Sequence, residues 1–200
     1  MKRISFFVIG SLIIIYSCNE NSTGINPAGD NIIPLKVGNS WKMEVSFYDS
    51  LGNVFYVDTS TSQIMKDTLI SGLHLFSYGG DIFYYANRED GLWSYEFHLS
   101  GEEVSYLYYK YPCKSGDTYS VTVGRPPAVV TVVSKNETVQ VEAGTFSCIL
   151  YRFDFEEIAS HINIYAAPGI GIVKSEHFSR GDISASYKDW EDHLLEYQVN

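Results

Sequence analysis

The chain has 200 residues, of which 24 are acidic and 14 are Lys or Arg, so its formal net charge at neutral pH is −10. A chain of this length fits one domain. Its negative charge opposes binding to the phosphate backbone of nucleic acids, which depends on basic side chains. We therefore expect one domain that does not bind nucleic acid.

Residues 1–17 are predicted to form a signal peptide. Lys2 and Arg3 precede an apolar stretch from Ile4 to Tyr16, which is shorter than the roughly 20 residues of a membrane-spanning helix. A short apolar run after basic residues is typical of a secretory signal. Cleavage after this segment would take the net charge to −12.

The end of the signal, Ile15-Tyr16-Ser17-Cys18, resembles the lipobox of bacterial lipoproteins. The resemblance implies that Cys18 receives diacylglycerol, becomes the mature N-terminus and is acylated by a fatty acid such as palmitate. Attached acyl chains would make the membrane a partner through a lipid anchor. In Gram-negative bacteria, an Asp directly after the lipidated Cys favours retention at the inner membrane. Asn19 occupies this position here, so the resemblance favours the outer membrane, on its periplasmic or its surface side. Ordinary secretion with an unmodified Cys18 is the alternative.

Residues 18–33 are predicted to be a flexible tether, because they are polar and rich in Asn, Gly and Ser until the final isoleucines. Fifteen residues of such a chain span about 20 Å. The folded domain is expected to occupy residues 34–200.

From Pro34 onward, apolar and polar residues alternate with a period of two, as in "LWSYEFHL" and "SCILYRFDF". This alternation is typical of half-buried strands. Turn signals such as "DSLGN", "SKNE", "EAGT" and "AAPG" separate the segments. Helical patterns are confined to residues 154–162 and part of 187–197. Thirteen strands are predicted, at 41–49, 54–64, 69–78, 81–86, 92–99, 104–111, 117–123, 128–134, 137–142, 147–155, 161–166, 170–178 and 183–199.

Strands at this spacing predict an all-β domain with very little helix, in a single antiparallel meander that closes as a β-barrel or folds as a β-sandwich. Nothing alternates strand with helix, which excludes a doubly wound nucleotide-binding sheet.

Segments 33–45, 139–153, 165–176 and 194–199 resemble an uncharacterised group of secreted, mostly lipoprotein-type β domains from Bacteroidota-type bacteria. The resemblance implies a shared scaffold and brings no activity with it. Within these motifs we expect Gly38 to turn the chain before Trp41, Gly144 to form a hairpin, and Gly171 to permit close backbone approach.

No nucleophile, zinc-protease or phosphate-loop motif occurs, so we expect a non-catalytic protein without cofactor or metal. The paired acids Glu102-Glu103, Glu156-Glu157 and Glu191-Asp192 are neighbours in sequence, and neighbours on a strand point to opposite faces. Cys113 and Cys148 are either a disulfide or two separate buried thiols. The five histidines are scattered, without the spacing of metal ligands.

Aromatic residues are the one feature that suggests binding. Tyr106, Tyr108, Tyr109 and Tyr111 are predicted to lie on both faces of one strand, where rings left outside the core would form a ligand surface for a glycan, a lipid or an envelope protein. The alternative is that both faces are covered. The leading hypothesis is a membrane-anchored envelope protein that binds a ligand or partner. A purely structural or assembly role, or a glycan hydrolase, are the alternatives.

Overall fold

A computed structural model describes residues 31–70, 72–78, 83–97, 103–122, 127–180 and 186–200. The signal peptide, Cys18 and residues 18–30 of the predicted tether lie outside the described residues. The strands are β1 (Ser40–Tyr48), β2 (Val54–Ile70), β3 (Leu73–Tyr78), β4 (Phe83–Arg88), β5 (Gly91–Phe97), β6 (Glu103–Lys110), β7 (Thr118–Val121), β8 (Ala128–Val141), β9 (Gly144–Phe155), β10 (Ser160–Ala167), β11 (Gly171–Arg180) and β12 (Ser186–Gln198).

The twelve strands form one antiparallel sheet in the order β6-β5-β4-β3-β2-β1-β12-β11-β10-β9-β8-β7. Each strand pairs with the strands before and after it in sequence, with one exception: no ladder joins β6 to β7 in the part of the chain that the structure describes. In addition, the first strand, β1, pairs with the last strand, β12. The sheet is nearly closed as a barrel. The all-β prediction is confirmed, and of its two forms the structure takes the barrel.

One fewer strand is described than the sequence predicts. The residues "SKNE" at 134–137 have the composition of a turn, but β8 continues through them with register shifts opposite β9 at Ser134 and Glu137. A bulge absorbs polar residues without ending a strand. At 187–197 the predicted strand forms, as β12, and the helical pattern does not; the helical pattern at 154–162 yields a single 3-10 turn, Glu156–Ile158.

The packed part of the chain begins earlier than residue 34. Ile32 and Ile33, which the sequence places in the tether, are buried in the core. The backbone carbonyl of Asn31 accepts a hydrogen bond from the amide of Gly169 at 2.8 Å, and the Asn87 side chain donates to the carbonyl of Ile33 at 3.0 Å. These contacts place the start of the domain against the β10–β11 turn.

Two clusters of buried apolar side chains lie on opposite faces of the sheet. The larger fills the barrel and combines Trp41 and Ile64 with the inward residues of β8 to β12. The smaller lies on the other face of β3 to β5 and contains Leu75, Tyr84 and Tyr95. Both faces of the β3–β5 region are therefore covered.

Side chains bridge the gap between β6 and β7. The Tyr119 hydroxyl donates to the carbonyl of Tyr108 at 2.9 Å and accepts from the amide of Lys110 at 3.3 Å. The Tyr151 hydroxyl donates to the Lys110 carbonyl at 2.8 Å, and the Lys110 ammonium lies 3.0 Å from the Asp117 carboxylate. Side-chain hydrogen bonds thus connect the two ends of the sheet.

Within the described residues, no helix has the length and hydropathy needed to cross a bilayer.

Candidate functional site

The four tyrosines of the predicted ligand surface all pack against the core. Tyr109 is 1% exposed, and the other three are half-buried against the same cluster. Leu92 pairs with Tyr109 while Trp93 pairs with Leu107, so Tyr108 is an extra residue in β6. This bulge breaks the alternation. The expectation that these rings divide between two faces is therefore wrong.

These rings form part of a tyrosine cluster inside the barrel. Tyr108 lies 4.6 Å from Tyr109, 6.3 Å from Tyr85 and 5.8 Å from Phe153, measured between ring centroids. Burial raises the pKa of Tyr109 well above its ordinary value. Edge and tilted ring contacts at these distances stabilise a core, so the cluster serves packing.

A carboxylate is buried at the edge of the tyrosine cluster. Glu96 is 7% exposed and accepts a hydrogen bond from the Tyr106 hydroxyl at 3.4 Å. Burial is the largest of the effects that raise the pKa of Tyr106 to about 12, so this phenol stays protonated at neutral pH.

Cys113 and Cys148 are two separate buried thiols in this structure, the second of the two alternatives that the sequence left open. The Cys113 sulfur lies 4.0 Å from the Tyr151 hydroxyl. Burial raises the pKa of Cys148 to about 12, so its thiol is protonated and unreactive at neutral pH. Among the described residues, no group of His, Cys, Asp or Glu is arranged to hold a metal ion.

A pocket of about 280 Å³ opens at the rim of the barrel, where β9 passes into the 3-10 turn and β10, β11 and β12 lie side by side. We call it the rim pocket. Its apolar walls include Phe155, Ile158, Ile162 and Phe178, and Trp190 closes another side. The strand register produces this grouping, because Ile162 pairs with His177 and His177 pairs with Trp190.

Residues of two aromatic stacks lie at the rim pocket, and because His177 and Phe178 are neighbours on β11, the two stacks are on opposite faces of the sheet. His161 stacks on Phe178 with ring centroids 4.5 Å apart and an angle of 8° between the planes. His177 stacks on Trp190 with the planes 23° apart. The His177–Trp190 stack lies on the same face as Ile162 and offers an apolar surface with polar nitrogen atoms at its edge.

The polar groups of the rim pocket include one carboxylate. Asp189 accepts a hydrogen bond from the Ser179 hydroxyl at 2.6 Å and from the Trp190 amide at 3.1 Å. Burial, followed by the positive charge of Arg152, lowers the pKa of His161. At neutral pH this imidazole is uncharged, with one nitrogen that donates and one that accepts.

The acidic pair Glu191-Asp192 divides between the two faces of β12, as the sequence predicted. Glu191 is held by the Tyr48 hydroxyl and by the Lys188 ammonium, the latter at 2.6 Å. Asp192 points the other way and accepts from the Ser175 hydroxyl at 2.6 Å. The two carboxylates therefore have different partners and do not form one acid–base pair.

Sequence reasoning did not identify the rim pocket. His161 and His177 are sixteen positions apart, and Asp189 and Trp190 lie in a segment that also has a helical pattern. The β10–β11–β12 register brings them together, and that register cannot be derived from local alternation. The adjacent pair Asp189-Trp190 lies in the charged stretch KDWED near the start of β12 and gives no distinct local signal.

Comparisons with known proteins give one partial family match and two similar solved structures. A family model described as DUF3108-like matches residues 131–189. The chain is similar to a solved structure of a candidate lipoprotein from Parabacteroides distasonis, with 14% identity and a TM-score of 0.48 over 85% of this chain and 99% of that one. It is also similar to a candidate exported protein with a YmcC-like fold from Bacteroides fragilis, with 14% identity and a TM-score of 0.43 over 84% and 98% of the two chains. Among curated proteins, no sequence matches the chain significantly.

Proposed function

We propose that this chain is a non-catalytic envelope protein, held on the outer membrane by lipid on Cys18, and that it binds a small ring-bearing ligand in the rim pocket. The ligand class that fits best is a sugar ring, alone or as one unit of an envelope glycan. The observation that carries this proposal is the His177–Trp190 stack together with the Asp189 carboxylate at one pocket.

The chemistry of the pocket suits a sugar. The apolar face of a sugar ring packs on an aromatic face such as that of Trp190. Its hydroxyls would donate hydrogen bonds to the Asp189 carboxylate. The volume of about 280 Å³ is near the lower end of ligand pockets, which measure about 300–1,000 Å³, so we propose that one ring is accommodated.

Binding is favoured over hydrolysis by the carboxylates around the pocket. A glycosidase places two carboxyl groups about 5–10 Å apart across the scissile bond. Of the described residues that line the rim pocket, Asp189 alone carries a carboxylate. We therefore propose recognition of a glycan without its cleavage.

The test uses the full-length protein in detergent and a panel of methyl glycosides of neutral and N-acetylated hexoses. Saturation-transfer NMR should show transfer from aromatic protons of the protein to the ring protons of at least one glycoside. Asp189→Asn should weaken the binding about 10-fold or more, because a hydrogen bond to a charged group contributes about 1.5–3 kcal/mol.

Asp58→Asn is the matched control, since Asp58 is an exposed carboxylate on β2, outside the rim pocket. This variant should bind as the wild type does. A panel without any saturation transfer, or equal losses in the two variants, would contradict the proposal.

The anchor is tested separately. Mass spectrometry of the mature N-terminal peptide should find a lipid-modified Cys18, and Cys18→Ser should move the protein from the membrane fraction to the soluble fraction. A free Cys18 thiol in the mature protein would refute lipidation and leave the pocket proposal untouched.

A further inference from the structure

Half of β2 has an open edge. From Val54 to Gln63 this strand pairs with β1, whereas β3 pairs with β2 only from Ile64 onward. In the described part of the chain, no strand pairs with the other edge of residues 54–63. Nearly every side chain from position 54 to position 63 is exposed.

The open edge has the composition of a strand that pairs. The register against β1 shifts once, at Phe55, and is regular from Tyr56 to Gln63. This regular stretch, YVDTSTSQ, is rich in β-branched residues and has Asp58 as its single charge. Exposed edges are normally protected from pairing by lysine, proline or bulges, and this stretch contains none of these.

A second open edge in the same molecule is protected. The short strand β7 pairs with β8 from Ala128 to Thr131, and beyond this point β8 carries Lys135, Glu137 and two register shifts. Charges and bulges of this kind hinder the addition of another strand. The contrast shows that the β2 edge differs from the other edge of the same sheet.

We propose that the edge of β2 from Tyr56 to Gln63 pairs antiparallel with the same segment of a second copy of this chain. A two-fold interface uses one surface twice. Asp58 is the single charge in this segment. The Asp58 carboxylates of the two copies would face each other directly only if the ladder were centred on Asp58, so the other registers avoid this repulsion. Eight residues give a ladder of about 27 Å, and exposed Phe55 adds apolar surface beside it.

The overall charge favours this edge over the rest of the surface. A chain with a net charge of −10 repels a second copy wherever acidic surfaces meet. Residues 50–57 and 59–65 carry no charge, so the edge offers an approach with little repulsion.

Cross-linking in native membranes with a flexible bismaleimide tests the pairing, because its spacer joins two thiols whether they lie on the same face or on opposite faces of the ladder. Thr59→Cys places a thiol on the open β2 edge, and Thr138→Cys places one on the protected β8 edge; both positions lie outside the buried core. Cys113 and Cys148 are buried, and the wild type, which keeps Cys18, gives the background band, so any excess in a variant comes from the introduced thiol. We expect a dimer band from Thr59→Cys and at least 10-fold less from Thr138→Cys. Equal bands from both variants, or no band from either, would overturn the proposal.

A solution measurement provides the second test. The full-length protein in detergent should have the mass of two chains by light scattering, and a double variant with Lys at positions 59 and 61 should have the mass of one. The circular dichroism spectrum of this variant should match that of the wild type, because both threonines are exposed. A wild-type protein that is monomeric at high micromolar concentration, or a dimer that survives the two lysines, would refute the pairing. Neither result depends on the rim pocket.

Discussion

Trp41 donates its indole N–H to the backbone carbonyl of Ile170 at 2.6 Å, across 129 positions of sequence. The indole is 3% exposed and lies against Gly171, where a Cβ would be 3.2 Å from the indole nitrogen. The start of β1 is thereby fixed to the β10–β11 turn. Because β12 lies between β1 and β11 in the sheet, this contact stabilises the region where the first and last strands of the chain pair.

Gly171→Ala is expected to destabilise the fold by about 1–3 kcal/mol. Gly171 has a φ of +111°, a conformation that a residue with a Cβ adopts only with strain, and the new methyl group would press on Trp41. Urea denaturation followed by fluorescence measures the loss.

Gly116→Ala is the control for this variant, because Gly116 has a φ of +89° and no atom within 4 Å of the position that a Cβ would take. It carries the backbone strain without the contact. A Gly171→Ala loss no larger than that of Gly116→Ala would show that the approach of Trp41 contributes nothing.

Two elements of this region were predicted from sequence, but the contact between Trp41 and Gly171 and much of the remaining detail were not. The motifs around Gly38 and Gly171 predicted a turn before Trp41 and a close approach, and both are present. Alternation predicted most strands because its period is local. Because of the bulge at Tyr108, tyrosines that alternation assigns to two faces pack on the same cluster. The rim pocket depends on the register between strands. Neither feature has a local signature strong enough to be identified.

Alanine substitution in the tyrosine cluster should give losses that follow burial and not alternation. Tyr109→Ala removes a ring that is 1% exposed and should cost about 3–5 kcal/mol, the range for large-to-small core changes. Tyr106→Ala removes a half-buried ring and should cost less. Thermal or urea unfolding measures both. If Tyr106→Ala lowers the free energy of unfolding as much as Tyr109→Ala does, the contribution of these rings to stability does not follow their burial.

Tyr119→Phe should loosen the junction of β6 and β7. The change removes the hydroxyl that bonds the Tyr108 carbonyl and the Lys110 amide, and it should cost about 1–3 kcal/mol because buried backbone groups lose a partner. Hydrogen exchange at the Lys110 amide should accelerate more than exchange in β9.

Tyr56→Phe is the matched control for the junction, since the Tyr56 hydroxyl donates to Asp58 at an exposed site. We expect a change of less than about 0.5 kcal/mol from it. Unchanged exchange at Lys110 in Tyr119→Phe would mean that the junction is held without this hydroxyl.

Glu191 and Asp192 should respond to pH in opposite directions. Burial of Glu191 opposes its ionisation, but hydrogen bonds from Lys188 and Tyr48 outweigh burial and lower its pKa. Burial of Asp192 prevails over the hydrogen bond from Ser175 and raises its pKa. Ionised Glu191 therefore stabilises the fold above its ordinary pKa of 4.5, and this contribution is lost as the pH falls through the lowered value. Ionised Asp192 destabilises the fold as the pH rises from 3.8 through the raised value.

Two isosteric variants separate these effects. Glu191→Gln should be less stable than the wild type at pH 7, and the difference should shrink as the pH falls below 4.5. Asp192→Asn should gain stability relative to the wild type as the pH rises above 3.8, because the amide carries no buried charge. Urea unfolding of the three proteins between about pH 3 and pH 7 measures both differences. Parallel stability curves for the two variants would contradict the opposite shifts, and with them the assignment of these adjacent carboxylates to different surroundings on the two faces of β12.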